Sequence, residues 1–156
     1  MAAPSFPDGE PPRAAIIAAA RRWLGTPYRH QGARLGVGAD CLGVVLGVWR
    51  EVYRTTPRHP SGYSPDWAEA ARGEPMLGYC RDQMREVPTT ARRPGDLVVF
   101  RWSAHVPAKH LGVLVAAQAM VEARERHAVS LTTLTPWWTR RIAAVFAFPP
   151  LATIGS

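Results

Sequence analysis

The chain has 156 residues, 47% of them hydrophobic and 20% charged, which is the size and make-up of one globular domain. Its two cysteines, Cys41 and Cys80, are too few for a disulfide framework, and neither sits in a CxxC pair that would suggest structural zinc. Nineteen basic side chains against twelve acidic ones give a formal charge of +7. Eighteen of the nineteen are arginine, with Lys109 the exception, and they are scattered as singles and pairs. That pattern points away from a specific nucleic-acid site and toward an ordinary solvated basic surface; a basic face that assists approach to an anionic polymer fits either reading.

Residues 1–12 hold four prolines and read as a flexible arm. The start is acidic rather than basic, so no secretory signal peptide is expected, and synthesis in the cytoplasm follows. The apolar run Ala14–Ala20 is far short of the roughly 20 residues of a membrane span. A single domain is expected over 13–150, with 151–156 as a tail.

The first helix is predicted over Arg13–Leu24, stopped by Gly25-Thr26-Pro27. A glycine-rich loop, Tyr28–Asp40, leads to a second helix over Cys41–Arg54, whose apolar residues recur at helical spacing. Gly43 and Gly47 within it imply close packing, because glycine costs about 1 kcal/mol in a helix interior. Short helices are expected near Pro65–Arg72 and Met76–Glu86. The period then changes to strands at Leu97–Trp102, Leu111–Val115, Met120–Ala123, Ala128–Leu131 and Ile142–Phe148. Helices first and strands afterwards define an α+β domain with an antiparallel sheet.

Cys41 follows Asp40, a good N-cap residue, and so falls in the first turn of a helix. Helix dipole and unpaired N–H groups there should lower the thiol pKa and could hold an oxyanion. The alternative is a buried structural cysteine, the reading that Cys80 receives. His110 opens the best strand, HLGVLV, and has a defined direction. His105 lies in a loop, His59 and His127 sit near polar turns, and His30 shares a loop with Tyr28. Glu122 lies twelve residues after His110, across a hairpin with its tip near Ala116–Gln118. If paired residue numbers sum to an even value, both side chains share a face as direct or diagonal neighbours. Otherwise Glu122 is an ordinary surface acid.

Four ordered motifs carry a family resemblance: Gly25-Thr26-Pro27-Tyr28 with Asp40-Cys41-Leu42-Gly43; Arg93-Pro94-Gly95-Asp96-Leu97; His110-Leu111-Gly112-Val113; and Met120-Val121-Glu122-Ala123. Together they resemble the NlpC-type papain-like cysteine peptidases. The resemblance implies a papain-like fold with the nucleophile at a helix N-terminus, packed on a five- to six-stranded antiparallel sheet. It implies Cys41 as nucleophile, His110 as base and Glu122 as the orienting third group. Tyr28 takes the place of a tyrosine that hydrogen-bonds oxyanion or substrate, and Asp40 that of an aspartate that helps recognise a peptide amine. Leu42 stands where serine is usual, and Glu122 where histidine is commoner. No cofactor or metal is implied.

The HQG at 30–32, DCLG at 40–43 and GVWRE at 47–51 are most similar to the phage and gene transfer agent branch of cell-wall peptidases. This resemblance implies an endopeptidase acting on peptidoglycan stem peptides, commonly between D-γ-glutamate and diaminopimelate. Its expected partners are phage-like tail hub or tip proteins, which would deliver it to the periplasmic wall. The competing reading is a structural tail-tip subunit with a peptidase-like fold.

Overall fold

The structure, a computed structural model, describes residues 9–57 and 73–151. The helix expected at 65–72, His59, and the terminal segments 1–8 and 152–156 lie outside the described residues.

Alanine-rich α1 (Arg13–Arg22) buries Ile16, Ala19 and Ala20. Its small side chains allow close packing on α2 (Cys41–Tyr53), which is apolar on nearly every side and contributes Leu42, Val44, Leu46 and Val48 to the core. Arg54 ends α2 in the left-handed conformation at φ 60°. The two glycines of α2 are required by contact. A Cβ at Gly47 would overlap the Trp23 indole, and one at Gly43 would overlap the carbonyl oxygen of Gly32. The second clash is with backbone, so the loop before α2 is seated directly on the turn that bears Cys41. That loop contains a small hairpin, β1 (Ala33–Arg34) and β2 (Gly38–Ala39), where the sequence suggested only loop.

Gly43→Ala is expected to destabilise the protein by about 2–3 kcal/mol, because neither backbone can yield without moving the loop. Gly78→Ala is the control. Gly78 lies in α3 (Pro75–Gln83) with open space where its Cβ would stand, so helix propensity makes this change neutral or stabilising by up to about 1 kcal/mol. Denaturation midpoints read both, and an unchanged midpoint for Gly43→Ala would show that the loop is not anchored there.

The sheet has six strands: β3 (Arg85–Val87), β4 (Leu97–Phe100), β5 (His110–Ala116), β6 (Ala119–Glu122), β7 (Ser130–Thr133) and β8 (Ile142–Ala147). Their spatial order is β3-β8-β4-β5-β6-β7, and all neighbours are antiparallel. The α+β architecture with a six-stranded antiparallel sheet is thus as the motifs implied. Both faces of the sheet are covered. Leu97, Val99, Leu111, Val113 and Phe146 pack with the helices. Val98, Phe100, Leu114, Met120 and Val145 pack under Leu134 and Trp138, the latter from a one-turn helix, α4 (Pro136–Thr139). Strands covered on both faces read as continuous apolar runs, which is why β4 is LVVF rather than alternating.

The Pro94-Gly95-Asp96 turn locks helix to sheet. Gly95 holds φ 96°, and buried Asp96 accepts from the Arg13 guanidinium at 2.8 Å and from the Arg93 N–H at 2.8 Å.

Candidate active site

Asp40 and Cys41 are placed by the start of α2. Asp40 Oδ1 accepts from the Gly43 N–H at 2.7 Å, and Oδ2 from the Gln31 N–H at 2.8 Å. Asp40 therefore caps the helix and ties down the preceding loop, with only 6% of its surface exposed. Leu42 turns into the core, so an apolar residue there costs nothing in local packing. Cys80 is also buried in the core, and both thiols are free.

The Cys41 thiol lies against the backbone on both sides of His110. Its Sγ is 3.9 Å from the Lys109 carbonyl oxygen, and the Leu111 N–H donates to it. Burial, and then the Asp40 carboxylate, push the thiol up to about 12, against the N–H groups of Leu111, Leu42 and Cys41 itself. The expected lowering by the helix start is corrected here. The first-turn donors act in the anticipated direction, but desolvation and the capping carboxylate outweigh them. The resting group is a thiol, and its chemistry needs a proton acceptor.

Of the four described histidines, only His110 is buried; His30, His105 and His127 are exposed. Its ring sits among Phe100, Trp102 and Trp138, stacked on Trp102 with centroids 5.0 Å apart at 28°. Nε2 lies 2.9 Å from Glu122 Oε1. The pairing Gly112↔Glu122 places His110 and Glu122 as diagonal neighbours on one sheet face. Nδ1 has no hydrogen-bond partner among the described residues, and the thiol meets the His110 segment through the backbone rather than through the ring.

Glu122 is 2% exposed, yet ionised. Burial pushes its pKa up, but hydrogen bonds from His110 and Thr132 and the charges of His110 and Arg124 hold it below the usual range. Its Oε2 accepts from Thr132 Oγ1 at 2.6 Å and from Arg124 Nε at 3.0 Å. The depressed pKa means that Glu122 adds stability above the ordinary carboxylate pKa, and loses it as pH falls through the folded value. Wild type should therefore exceed Glu122→Gln in denaturant resistance at pH 7, with the gap closing as pH falls below the ordinary carboxylate range and through the lowered folded value. A gap that stays constant with pH would show that the carboxylate charge contributes nothing.

Tyr28 sits at the front of the same loop, its hydroxyl 3.4 Å from His30 Nδ1. Burial, and then the negative charge of Asp40, raise the phenol to about 12. It remains a proton donor at any physiological pH. No metal-binding group of three or more His, Cys, Asp or Glu side chains occurs among the described residues.

Three elements of this site escaped the sequence reading. Thr132 lies on β7, one residue beyond the strand expected at 128–131. Arg124 follows Glu122 at the strand end, and the aromatic box adds Trp102, from the end of the strand expected at 97–102, and Trp138, from a segment with no clear period. Correct strand limits would have exposed Thr132, since Met120↔Thr132 pairing puts it diagonal to Glu122.

A thiol at a helix start, set against a strand that presents a buried His–carboxylate pair, defines the class of papain-like cysteine-hydrolase folds. The NlpC/P60 family pattern matches residues 25–146, and the chain belongs to that family. No curated protein matches the chain. Among solved structures it is similar to an NlpC/P60 family protein from Bacillus cereus, at TM-score 0.64 and 20% identity, covering 91% of this chain and 42% of that one. It is similar also to the NlpC/p60 domain of the peptidoglycan hydrolase SagA, at TM-score 0.61 and 19% identity, covering 86% and 97%. NlpC1 from Trichomonas vaginalis matches at TM-score 0.64 and 14% identity, covering 90% and 45%. The chain thus spans less than half of the B. cereus and Trichomonas proteins but nearly all of the SagA domain. At these identities the likeness is one of fold. Among the described residues no helix is long and apolar enough to cross a membrane.

Proposed function

We propose that the protein is a cysteine endopeptidase that hydrolyses peptidoglycan stem peptides. The observation that carries this reading is the Cys41 thiol lodged against the backbone flanking His110, whose Nε2 is held by buried Glu122. In the reaction, His110 Nδ1 takes the thiol proton as Sγ attacks the scissile carbonyl carbon. First-turn N–H groups and the Tyr28 hydroxyl donate to the oxyanion. The C–N bond breaks with the proton passing to the leaving amine, and a thioester remains. Water, deprotonated by His110, then attacks the thioester and releases the thiol and the new carboxylate. Glu122 keeps the ring orientation and stabilises the transient imidazolium.

The family resemblance supports the bond between D-γ-glutamate and diaminopimelate. The motifs at 30–32, 40–43 and 47–51 support a place in a phage-like tail, with delivery to the periplasmic wall by the particle. The test is incubation of the purified protein with murein sacculi and mass spectrometry of the soluble products. Release of fragments ending in D-γ-glutamate is the expected result. Intact sacculi would favour the structural tail-subunit reading.

A further inference from the structure

A cationic feature adjoins the site. The end of β4 and the start of β8 enclose an open cleft of about 430 Å³, lined by Arg101, Trp102, Arg140, Arg141 and Ile142. Trp102 is shared, because its ring also stacks on that of His110. No carboxylate lines the cleft among the described residues. Arg101 is committed to Glu74 and to the Val106 carbonyl at 3.0 Å. Arg140 and Arg141 have no acidic partner among the described residues, and Arg140 is exposed. Arg141 is fixed from within the protein: its guanidinium lies 3.8 Å over the half-exposed Trp137 ring, and Nη1 donates to the Trp137 carbonyl at 2.8 Å. A guanidinium held before a ligand arrives loses little freedom on binding, and its planar fork matches the oxygens of a carboxylate or phosphate.

We infer that this cleft is a subsite for a carboxylate or phosphate group of the cell-wall polymer, engaged by Arg140 and Arg141 beside the bond being cut. The inference rests on the wall-hydrolase reading above and adds to it a substrate feature and two residues. It also gives a local use to a positive charge that is otherwise spread over the surface.

The test separates binding from cleavage. On the Cys41→Ala background, which cannot digest its ligand, pelleting with sacculi is compared for the parent, Arg140→Glu, and Arg140→Ala/Arg141→Ala. Loss of charge-assisted hydrogen bonds should weaken binding roughly tenfold, and added salt should weaken the parent likewise. Arg21→Glu, an equal charge change on the exposed side of α1, should bind as the parent does. Arg140 makes no side-chain contact that the fold needs, so its variant isolates the cleft even if the double variant is unstable. Sacculi stripped of phosphate polymers distinguish the sources: arginine dependence that survives stripping assigns a carboxylate, and dependence that vanishes assigns a phosphate. Binding indifferent to Arg140 and Arg141, or weakened equally by Arg21→Glu, would overturn the inference. Digestion that needs Cys41 with binding indifferent to the arginines would remove the cleft alone. Arginine-dependent binding without digestion by the unmutated protein would remove the hydrolase reading and leave the cleft.

Discussion

Cys41→Ala should abolish release of wall fragments, a loss of at least about a thousandfold, because no other thiol reaches the His110 backbone. The fold should persist. Alanine suits the first turn of α2, and removing one sulfur from a half-buried position costs about 1 kcal/mol. Cys80→Ala gives the contrast, since Cys80 is buried in α3 among core residues. It should lose about 1 kcal/mol of stability and retain activity. Fragment release by Cys41→Ala, or equal loss in both variants, would mean that another group is the nucleophile.

The second large effect belongs to Glu122. Leucine there removes the acceptor of three donors at once, from His110, Arg124 and Thr132. A buried network broken on one side costs about 3 kcal/mol of stability, and the imidazole loses its orientation. Activity should fall by more than a hundredfold. Glutamine keeps the shape and an acceptor oxygen but no charge, so a loss of tenfold to a hundredfold is expected. Arg124 sharpens the reading. By sharing Oε2 it neutralises part of the Glu122 charge, so the carboxylate acts more as an orienter of His110 than as a bare counter-ion. If Glu122→Leu digested sacculi at the unmutated rate in a folded protein, the machinery would reduce to Cys41 and His110.

Local chemistry made much of this legible. Apolar spacing over Cys41–Tyr53 gave α2, Asp40 announced its start, and the two glycines signalled the close contacts that Gly32 and Trp23 make. Register arithmetic put Glu122 on the His110 face only for an even sum, which the sequence leaves open. The pairing is odd at the tip, Ala116↔Ala119, and becomes even at Gly112↔Glu122 through an irregularity between Leu114 and Ala116. Features set by distant chain segments were not legible. β3 is three residues of mostly exposed sequence at a sheet edge, and it becomes a strand only because β8 supplies its hydrogen bonds. The insertion of β8 between β3 and β4 has no signature in either segment. The thiol pKa was misjudged for the same reason: the helix start is local and visible, whereas desolvation by the folded core is neither.

The central claim is that the Cys41 thiol is activated by His110. It is tested most directly with a stem-peptide chloromethyl ketone, whose reaction with a nucleophilic thiol forms a thioether and expels chloride. Peptide mapping of the protein at pH 7 should find the adduct on Cys41 and not on Cys80. The rate should fall at least about a hundredfold in His110→Ala, since a thiol raised to about 12 is inert without its base. Labelling of Cys80 instead, or of Cys41 at the same rate without His110, would contradict the account.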